Sequence, residues 1–230
     1  MNRDSDKQAA AVAAVAEVQN GMLVGLGTGS TAAFVISEIG RLCAEGLRIE
    51  AVGTSLATEA HAREVGIPLR DLASVAVIDL AIDGTDEFDP SLRAIKGAGG
   101  AMLREKIVAA AARRMVVVAD GSKRVAQLGH AALPIEVLPL ARAYVADVLA
   151  ACGGLPTLRG GDASPTLTDQ GNIIFDCDFG PIDDPALLAR RLSAIPGVMG
   201  HGLFVDEVDA VYVADQGVVE RIERSAAPSP

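Results

Sequence analysis

Met22-Leu23-Val24-Gly25-Leu26-Gly27-Thr28-Gly29-Ser30-Thr31 decides how the rest of the chain is read. Met22–Leu26 predicts a short apolar strand, and the glycines after it allow backbone to come close to a small ligand. From Thr31 to Ala44 the apolar residues Ala32, Val35, Ile36, Ile39, Leu42 and Cys43 recur at helical spacing. A strand, a glycine loop and a helix in that order place a phosphate cradle at the helix N-terminus. Thr28, Gly29, Ser30 and Thr31 would supply hydroxyls and free N–H groups there, with the positive end of the helix dipole behind them. A dinucleotide fingerprint would want Gly or Ala where Ser30 stands, although Glu50 lies about where an acidic ribose partner belongs. No Gly-Lys-Ser/Thr follows, so a Walker A loop is absent.

Outward from this stretch, helix and strand alternate. A helix is predicted over Asp6–Gln19, a strand over Leu47–Val52 and a helix near Leu56–Val65. Extended segments at Ile67–Leu69 and Val75–Ile82 follow, then a helix near Ala101–Ala112 and a buried strand Met115–Ala119. Continuous apolar strands alternating with helices predict a doubly wound, mostly parallel α/β sheet. From Leu133 the pattern changes to strand Pro134–Leu138, helix Ala141–Ala151, strand Pro156–Arg159, strand Asn172–Asp178, helix Pro185–Ala194 and an extended Gly202–Val205. That β-α-β-β-α-β order is the split, ferredoxin-like α+β unit. Ala210–Ala214 and Val218–Ile222 predict two strands returning to the first sheet. The expected division is therefore a catalytic domain of residues 1–130 plus 206–224, a smaller domain of 131–205, and a frayed tail at 225–230.

Composition bounds the function. Of 230 residues half are apolar, yet aromatics make up only 3% and Trp is absent, so the core is aliphatic and the composition argues against base stacking on aromatics. A net charge of −10 disfavours nucleic acid and anionic membrane as partners. An anionic substrate would have to be held by a few local cations. The N-terminus lacks the apolar core of a signal peptide, no apolar run is long enough to span a membrane, and the three Cys are odd in number with no CxxC; a cytoplasmic protein is expected. Basic charge is written as sixteen Arg against four Lys: Lys7, Lys96, Lys106 and Lys123. Such a chain keeps lysine where a compact point charge is needed.

The chemistry concentrates between Asp83 and Lys106. Asp83-Gly84-Thr85-Asp86-Glu87 follows the apolar run Val75–Ile82, hence the C-terminal edge of a strand, where open α/β sheets bind ligands. Lys96-Gly97-Ala98-Gly99-Gly100 places an ammonium and free backbone N–H groups nearby. Clustered carboxylates also suit Mg²⁺, but the spacing is not that of an EF-hand. On the helix after Gly100, Glu105 shares a sector with Ala101, Val108, Ala109 and Ala112. Desolvation in that small apolar sector would raise its pKa toward a value useful to a general base. The competing reading is an ion pair with a neighbouring Arg or Lys. Lys123, in Asp120-Gly121-Ser122-Lys123, follows the strand Met115–Ala119 and could reach the same edge.

At these residues the chain resembles ribose-5-phosphate isomerase, type A. The matching motifs are Gly25-Leu-Gly-Thr-Gly-Ser-Thr31, Asp83-Gly-Thr-Asp-Glu87, Ile95-Lys-Gly-Ala-Gly-Gly100, Arg104-Glu-Lys106, Ala119-Asp-Gly-Ser-Lys123 and Ile195-Pro-Gly197, in family order over nearly the whole length. Thr85 stands where the family usually has Ala, and Gly121 is a second local variation. The resemblance implies a Rossmann-like domain with a small α+β domain, and interconversion of D-ribose 5-phosphate and D-ribulose 5-phosphate through an enediolate in the non-oxidative pentose phosphate pathway. No cofactor and no metal are implied. By motif, Glu105 would be the base, Asp83 and Lys96 would assist ring opening and polarise oxygens, and Asp86 would position the sugar. Thr28, Gly29, Ser30, Thr31, Gly84, Thr85, Gly97, Ala98, Gly99 and Lys123 would bind substrate, with Lys7 a further candidate for phosphate. A homodimer or homotetramer is the family expectation. Two other classes remain: a sugar-phosphate hydrolase, deaminase or CoA transferase on a similar scaffold, and a non-catalytic sugar-phosphate sensor. The Asp83, Asp86, Lys96 and Glu105 set argues against the first. The absence of a basic helix-turn-helix argues against the second.

Overall fold

The computed structural model describes residues 3–225. Its elements run, in chain order, α1 (Arg3–Val15), β1 (Leu23–Leu26), α2 (Ser30–Ala44), β2 (Glu50–Gly53), α3 (Leu56–Glu64) and β3 (Leu80–Gly84). Short strands β4 (Glu87–Phe88) and β5 (Ala94–Ile95) precede α4 (Met102–Ala111) and β6 (Met115–Asp120). Then come β7 (Leu133–Val137), α5 (Arg142–Ala151), β8 (Leu155–Leu158), β9 (Ile173–Asp178), α6 (Pro185–Ser193), β10 (Val198–His201), β11 (Leu203–Phe204), β12 (Ala210–Asp215) and β13 (Val218–Glu223). The expected tail lies, apart from Ser225, outside the described residues.

A six-stranded sheet in the order β13-β12-β6-β3-β1-β2 is parallel except for β13, which pairs antiparallel with β12. This is the Rossmann-like, mostly parallel sheet expected. Its inner strands β1, β3 and β6 are buried on both faces, which is why they read as apolar runs. Successive side chains alternate between the faces. Val24, Leu26, Leu80, Ile82, Val116 and Val118 pack against α1 and α2, whereas Ala81, Met115, Val117 and Ala119 pack with Val108 and Ala109 of α4. The same alternation puts Asp83, two residues after Ala81, on the face covered by α4.

The second sheet is antiparallel, in the order β10-β7-β9-β8, with α5 and α6 closing a core of Ile135, Val145, Leu149, Phe175 and Leu192 over one face. This is the βαββαβ unit read from the sequence. Its other face meets the start of α4: a Cβ on Gly200 of β10 would lie 3.4 Å from the Leu103 Cα.

Several boundaries differ from expectation by a few residues, and two of the differences bear on the site. The fourth strand of the small unit is Val198–His201, not Gly202–Val205. The N–H of Gly202 donates to Pro134 O at 2.8 Å while its carbonyl accepts from Lys96 N at 2.9 Å, and a Cβ would fall onto the Lys96 carbonyl oxygen. Glycine thus lets the chain cross between sheets, and Leu203–Phe204 pairs with Ala94–Ile95 in a three-stranded sheet β11-β5-β4 instead. Likewise only Leu80–Ile82 of the predicted run Val75–Ile82 is strand, and it extends two residues further, to Gly84. Asp79 interrupts it, its carboxylate accepting from Leu23 N at 2.9 Å and pairing with Arg113 at 2.7 Å. Among the described residues no helix is long and apolar enough to cross a membrane.

Candidate active site

The C-terminal ends of β1, β3 and β6 open into a cavity of about 310 Å³. Every residue expected from the sequence to bind or react lines it, except Asp83: Lys7, Thr28, Gly29, Ser30, Thr31, Gly84, Thr85, Asp86, Lys96, Gly97, Ala98, Gly99, Glu105 and Lys123. Asp83 stands directly behind the wall, with its carboxylate 2.9 Å from the Lys96 Nζ.

One side of the cavity is the β1–α2 loop. Gly27 is required by packing: a Cβ there would lie 2.5 Å from the Asp83 Cα and closer still to its carboxyl group. Gly29 sits at φ +103°, a conformation open to glycine, and starts α2 without a side-chain cap. The first-turn N–H groups of α2 are therefore available to an anion, with the helix dipole behind them. Lys7 reaches in from α1, its Nζ 3.1 Å from the Ser30 Oγ, and Lys123 enters from the turn after β6. Behind the loop, Thr28 Oγ1 meets the hydroxyls of Thr54 at 2.7 Å, Ser55 at 2.9 Å and Thr58 at 3.1 Å, and Thr58 donates to Gly27 O at 2.7 Å.

The opposite side is the Lys96–Gly100 turn. Gly97 at φ +99° and Gly100 at φ +80° bend the chain so that Ala98 N donates to the Asp86 carboxylate at 3.0 Å. The Thr85 hydroxyl lies 2.6 Å from Glu87 O and 2.9 Å from Ile95 O, fixing the same turn from behind. The Thr85 side chain thus serves backbone structure. Glu87 faces away, accepting from Gly129 N at 2.9 Å and from Ala131 N.

At the floor three buried charges meet. Lys96 Nζ donates to Gly84 O at 2.5 Å, pairs with Asp83 Oδ2 at 2.9 Å and lies 3.5 Å from Glu105 Oε2. Asp83 Oδ1 also accepts from Gly84 N at 2.7 Å and Thr28 N at 3.0 Å. Glu105 Oε2, by contrast, is buried with no hydrogen-bond partner, the approach of Lys96 being an ion-pair contact and not a formed hydrogen bond. Its helix explains this: Met102, Glu105, Val108 and Ala109 are the buried face of α4, so the carboxylate is delivered into an apolar sector as the spacing predicted.

The electrostatics follow. Burial pushes the Glu105 carboxyl up to about 8, the ammonium of Lys96 pulling it back and the charge of Asp83 raising it further. Burial also raises Asp83, against the Lys96 ammonium and the N–H groups of Gly84 and Thr28. Lys96 loses hydration by burial, but Asp83 and Glu105 more than offset this and hold it charged above the ordinary lysine range. One ammonium serves two carboxylates. Asp83, with three donors, is the one that stays ionised, and Glu105 is the one that takes up and gives back a proton near neutrality.

Several contributors were not singled out from the sequence. Arg3, Asp120 and Ser122 also line the cavity. Asp120 and Ser122 lie inside a quoted motif, whereas Arg3 carries no motif signal. Arg159, between β8 and β9, donates from Nη1 to Ala98 O at 3.0 Å while its guanidinium grips Asp176 through two hydrogen bonds. Arg104 ties α4 to Glu59 of α3 at 2.7 Å.

A Rossmann-like sheet carrying an anion cradle, a buried ammonium and a carboxylate of raised pKa defines a proton-transfer enzyme of small anionic molecules. The chain belongs to the ribose 5-phosphate isomerase A (phosphoriboisomerase A) family, whose model matches residues 50–217. A ribose-5-phosphate isomerase A of Sphingopyxis alaskensis is 48% identical over 97% of this chain and 98% of that one. One of Methanosarcina acetivorans is 49% identical over 95% and 94%. Among solved structures, ribose 5-phosphate isomerase A of Methanocaldococcus jannaschii superposes with a TM-score of 0.91 at 39% identity, covering 96% of this chain and 100% of that one. A D-ribose-5-phosphate isomerase in complex with phospho-erythronic acid gives a TM-score of 0.93 at 38% identity, covering 97% and 100%.

Proposed function

We propose that the protein interconverts D-ribose 5-phosphate and D-ribulose 5-phosphate, with Glu105 as the base. The observation that carries this is the Glu105 carboxylate: buried, without a hydrogen-bond partner at Oε2, and facing a cavity whose far side is an anion cradle. Family membership supports the same substrate. So does the relative's ligand, since phospho-erythronic acid carries a carboxylate at one end and a phosphate at the other, the charge pattern of an enediolate phosphate.

In this reading the phosphate rests on the amides and hydroxyls of Thr28 to Thr31, with Lys7 and Lys123 as counter-charges. Asp86 and the backbone of Gly84, Thr85, Gly97, Ala98 and Gly99 hold the sugar hydroxyls, and Asp83 with Lys96 assists ring opening. Glu105 removes the C2 proton of the open-chain aldose. The C–H electron pair becomes the C1=C2 double bond, and the charge developing on the C1 oxygen is met by the Lys96 ammonium. Glu105 returns the proton to C1 while the C2 hydroxyl proton passes to the C1 oxygen, leaving the ketose. No step calls for a metal or cofactor.

The reading also assigns residues 1–130 with 206–224 to the catalytic domain and 131–205 to the smaller one, with β11 as the strand crossing between them. It places the protein in the cytoplasm as a homodimer or homotetramer, which light scattering on the purified protein would measure. The decisive experiment is incubation of chelator-treated protein with ribose 5-phosphate in D₂O. Ribulose 5-phosphate deuterated at C1 is expected; no conversion, or conversion only after a divalent ion is added back, would overturn the assignment.

A further inference from the structure

Lys106 follows the proposed base directly, and its side chain leaves the other flank of α4. Its Nζ donates to Leu203 O and to Glu207 Oε1, the latter at 2.7 Å, and lies 3.7 Å from the centroid of the Phe204 ring. These three partners belong to β11 and the segment after it. The same strand is fixed to the other half of the site: β11 pairs with β5 in the register Leu203↔Ile95 and Phe204↔Ala94, and Gly202 O accepts from Lys96 N at 2.9 Å. The fully buried Phe204 ring also lies 5.4 Å from Lys96 Nζ. A chain of contacts thus runs from Glu105 through Lys106 to Leu203 and Phe204, and from there to Lys96.

We infer that Lys106 is a positioning residue, clamping the helix that carries Glu105 to the strand that anchors Lys96 and so fixing the separation between the two groups. The inference rests on Glu105 being the base. It accounts for a cation kept where burial works against it: burial pulls the Lys106 pKa down, with Glu207 opposing. A bond to a backbone carbonyl, a carboxylate and a ring face together specify one position of the ammonium, which a single surface ion pair would not. The Glu105–Lys96 distance of 3.5 Å is sensitive to such a clamp. Were the helix to drift toward Lys96, Glu105 would become a tightly paired, weak base; were it to drift away, the base would lose the counter-charge that meets the enediolate.

The test measures kcat, KM for ribose 5-phosphate and C1 deuterium exchange of ribulose 5-phosphate in Lys106→Met, Lys106→Arg and Glu207→Gln, with Glu105→Gln alongside. A displacement near 1 Å costs up to ~10²-fold in rate, so a fraction of that in Lys106→Met should lower kcat and exchange ~10-fold with KM within ~2-fold. Lys106→Arg should recover most of the loss: it keeps a cation that stacks on an aromatic ring, and a groove lined by Lys106, Arg190, Met199 and Glu207 leaves room for the larger head. Wild-type kcat in Lys106→Met, a KM rise matching the kcat loss, or an Arg variant no better than Met would overturn the clamp. If Lys106→Met does not fold, Glu207→Gln decides, with a smaller kcat loss at unchanged KM expected and an unchanged kcat refuting it. An inactive Glu105→Gln beside a normal Lys106→Met removes only the clamp, whereas an active Glu105→Gln removes the assignment of the base itself.

Discussion

Replacing Glu105 with Gln separates a base from a structural carboxylate, because it should change both rate and stability in a pH-dependent way. The amide keeps the size of the side chain but cannot accept the C2 proton. Loss of a general base costs ~10²–10⁴-fold, and here it should fall on kcat more than on KM, since the phosphate cradle is untouched. In wild type the group must be deprotonated to act, so kcat/KM should rise with pH through about 8. The stability effect has the opposite sense. The folded-state pKa lies above the unfolded value of 4.5, so between the two the folded state binds more protons than the unfolded one. Wild type should therefore lose stability as pH rises through that window, at up to about 1.4 kcal/mol per pH unit from this one site. Glu105→Gln lacks the titration. Urea unfolding of both proteins at about pH 5.5 and about pH 7.5 should show the variant gaining on wild type by up to about 3 kcal/mol. A difference independent of pH would mean that Glu105 is not held neutral by burial. Wild-type turnover and C1 exchange in the variant would pass the role of base to another carboxylate, Asp83 first.

Lys96→Arg preserves charge but should cost activity by ~10²-fold or more, because the ammonium is buried with oxygens at 2.5, 2.9 and 3.5 Å and has no room for a planar guanidinium; a near-normal kcat/KM would show the site to be roomier than its geometry. Gly27→Ala should be damaging although it adds one methyl, since that carbon would displace the backbone and carboxylate of Asp83. A loss of about 1–3 kcal/mol in urea unfolding together with reduced kcat is expected, and calorimetry showing unchanged stability and substrate affinity would refute the close approach. Arg159→Met should leave kcat nearly intact and raise KM by ~3–10-fold, the worth of one hydrogen bond holding Ala98 O; steady-state kinetics showing equal KM values would reduce Arg159 to a local partner of Asp176.

Much of the site was legible because its chemistry is carried by short contiguous motifs at strand ends. Glycine marks where backbone must come close, and helical spacing alone places Glu105 on the apolar face of α4. Legibility failed where the signal is long-range. Nothing near Arg159 in sequence announces that it reaches a carbonyl 61 residues away. The hydroxyls of Thr54, Ser55 and Thr58 look like an ordinary helix start, and Ser55 does cap α3, accepting from Thr58 N at 3.0 Å; only the parallel pairing of β1 with β2 brings them behind Thr28. Nothing next to Lys106 in sequence signals its contacts, which come from β11 and Glu207, about a hundred residues on. The two-residue strands β4, β5 and β11 are too short for alternation to show, so the crossing at Gly202 was placed inside the small domain's last strand.

The composition posed a difficulty that the architecture answers: a chain of net charge −10 that takes up a doubly charged phosphate. Screening at physiological salt confines exposed charges to ~8 Å, so the sum over the surface matters less than what stands at the cavity. There the negative excess is offset in stages, although Asp86 and Asp120 also line the cavity. Arg3, Lys7 and Lys123 line the cavity together with the N-terminus of α2, which holds no acidic residue in its first turn. At the floor, where a second negative charge must develop during the reaction, Lys96 stands between two carboxylates, and only Asp83 is fully committed to it. With the Glu105 carboxyl pushed up to about 8, much of it is neutral at neutral pH, which lessens the negative charge facing the incoming sugar phosphate while the deprotonated fraction remains competent as a base. In the proposed mechanism the desolvation that raises the Glu105 pKa therefore serves both proton transfer and substrate uptake, and any change that wets or tightly pairs Glu105 should weaken both together.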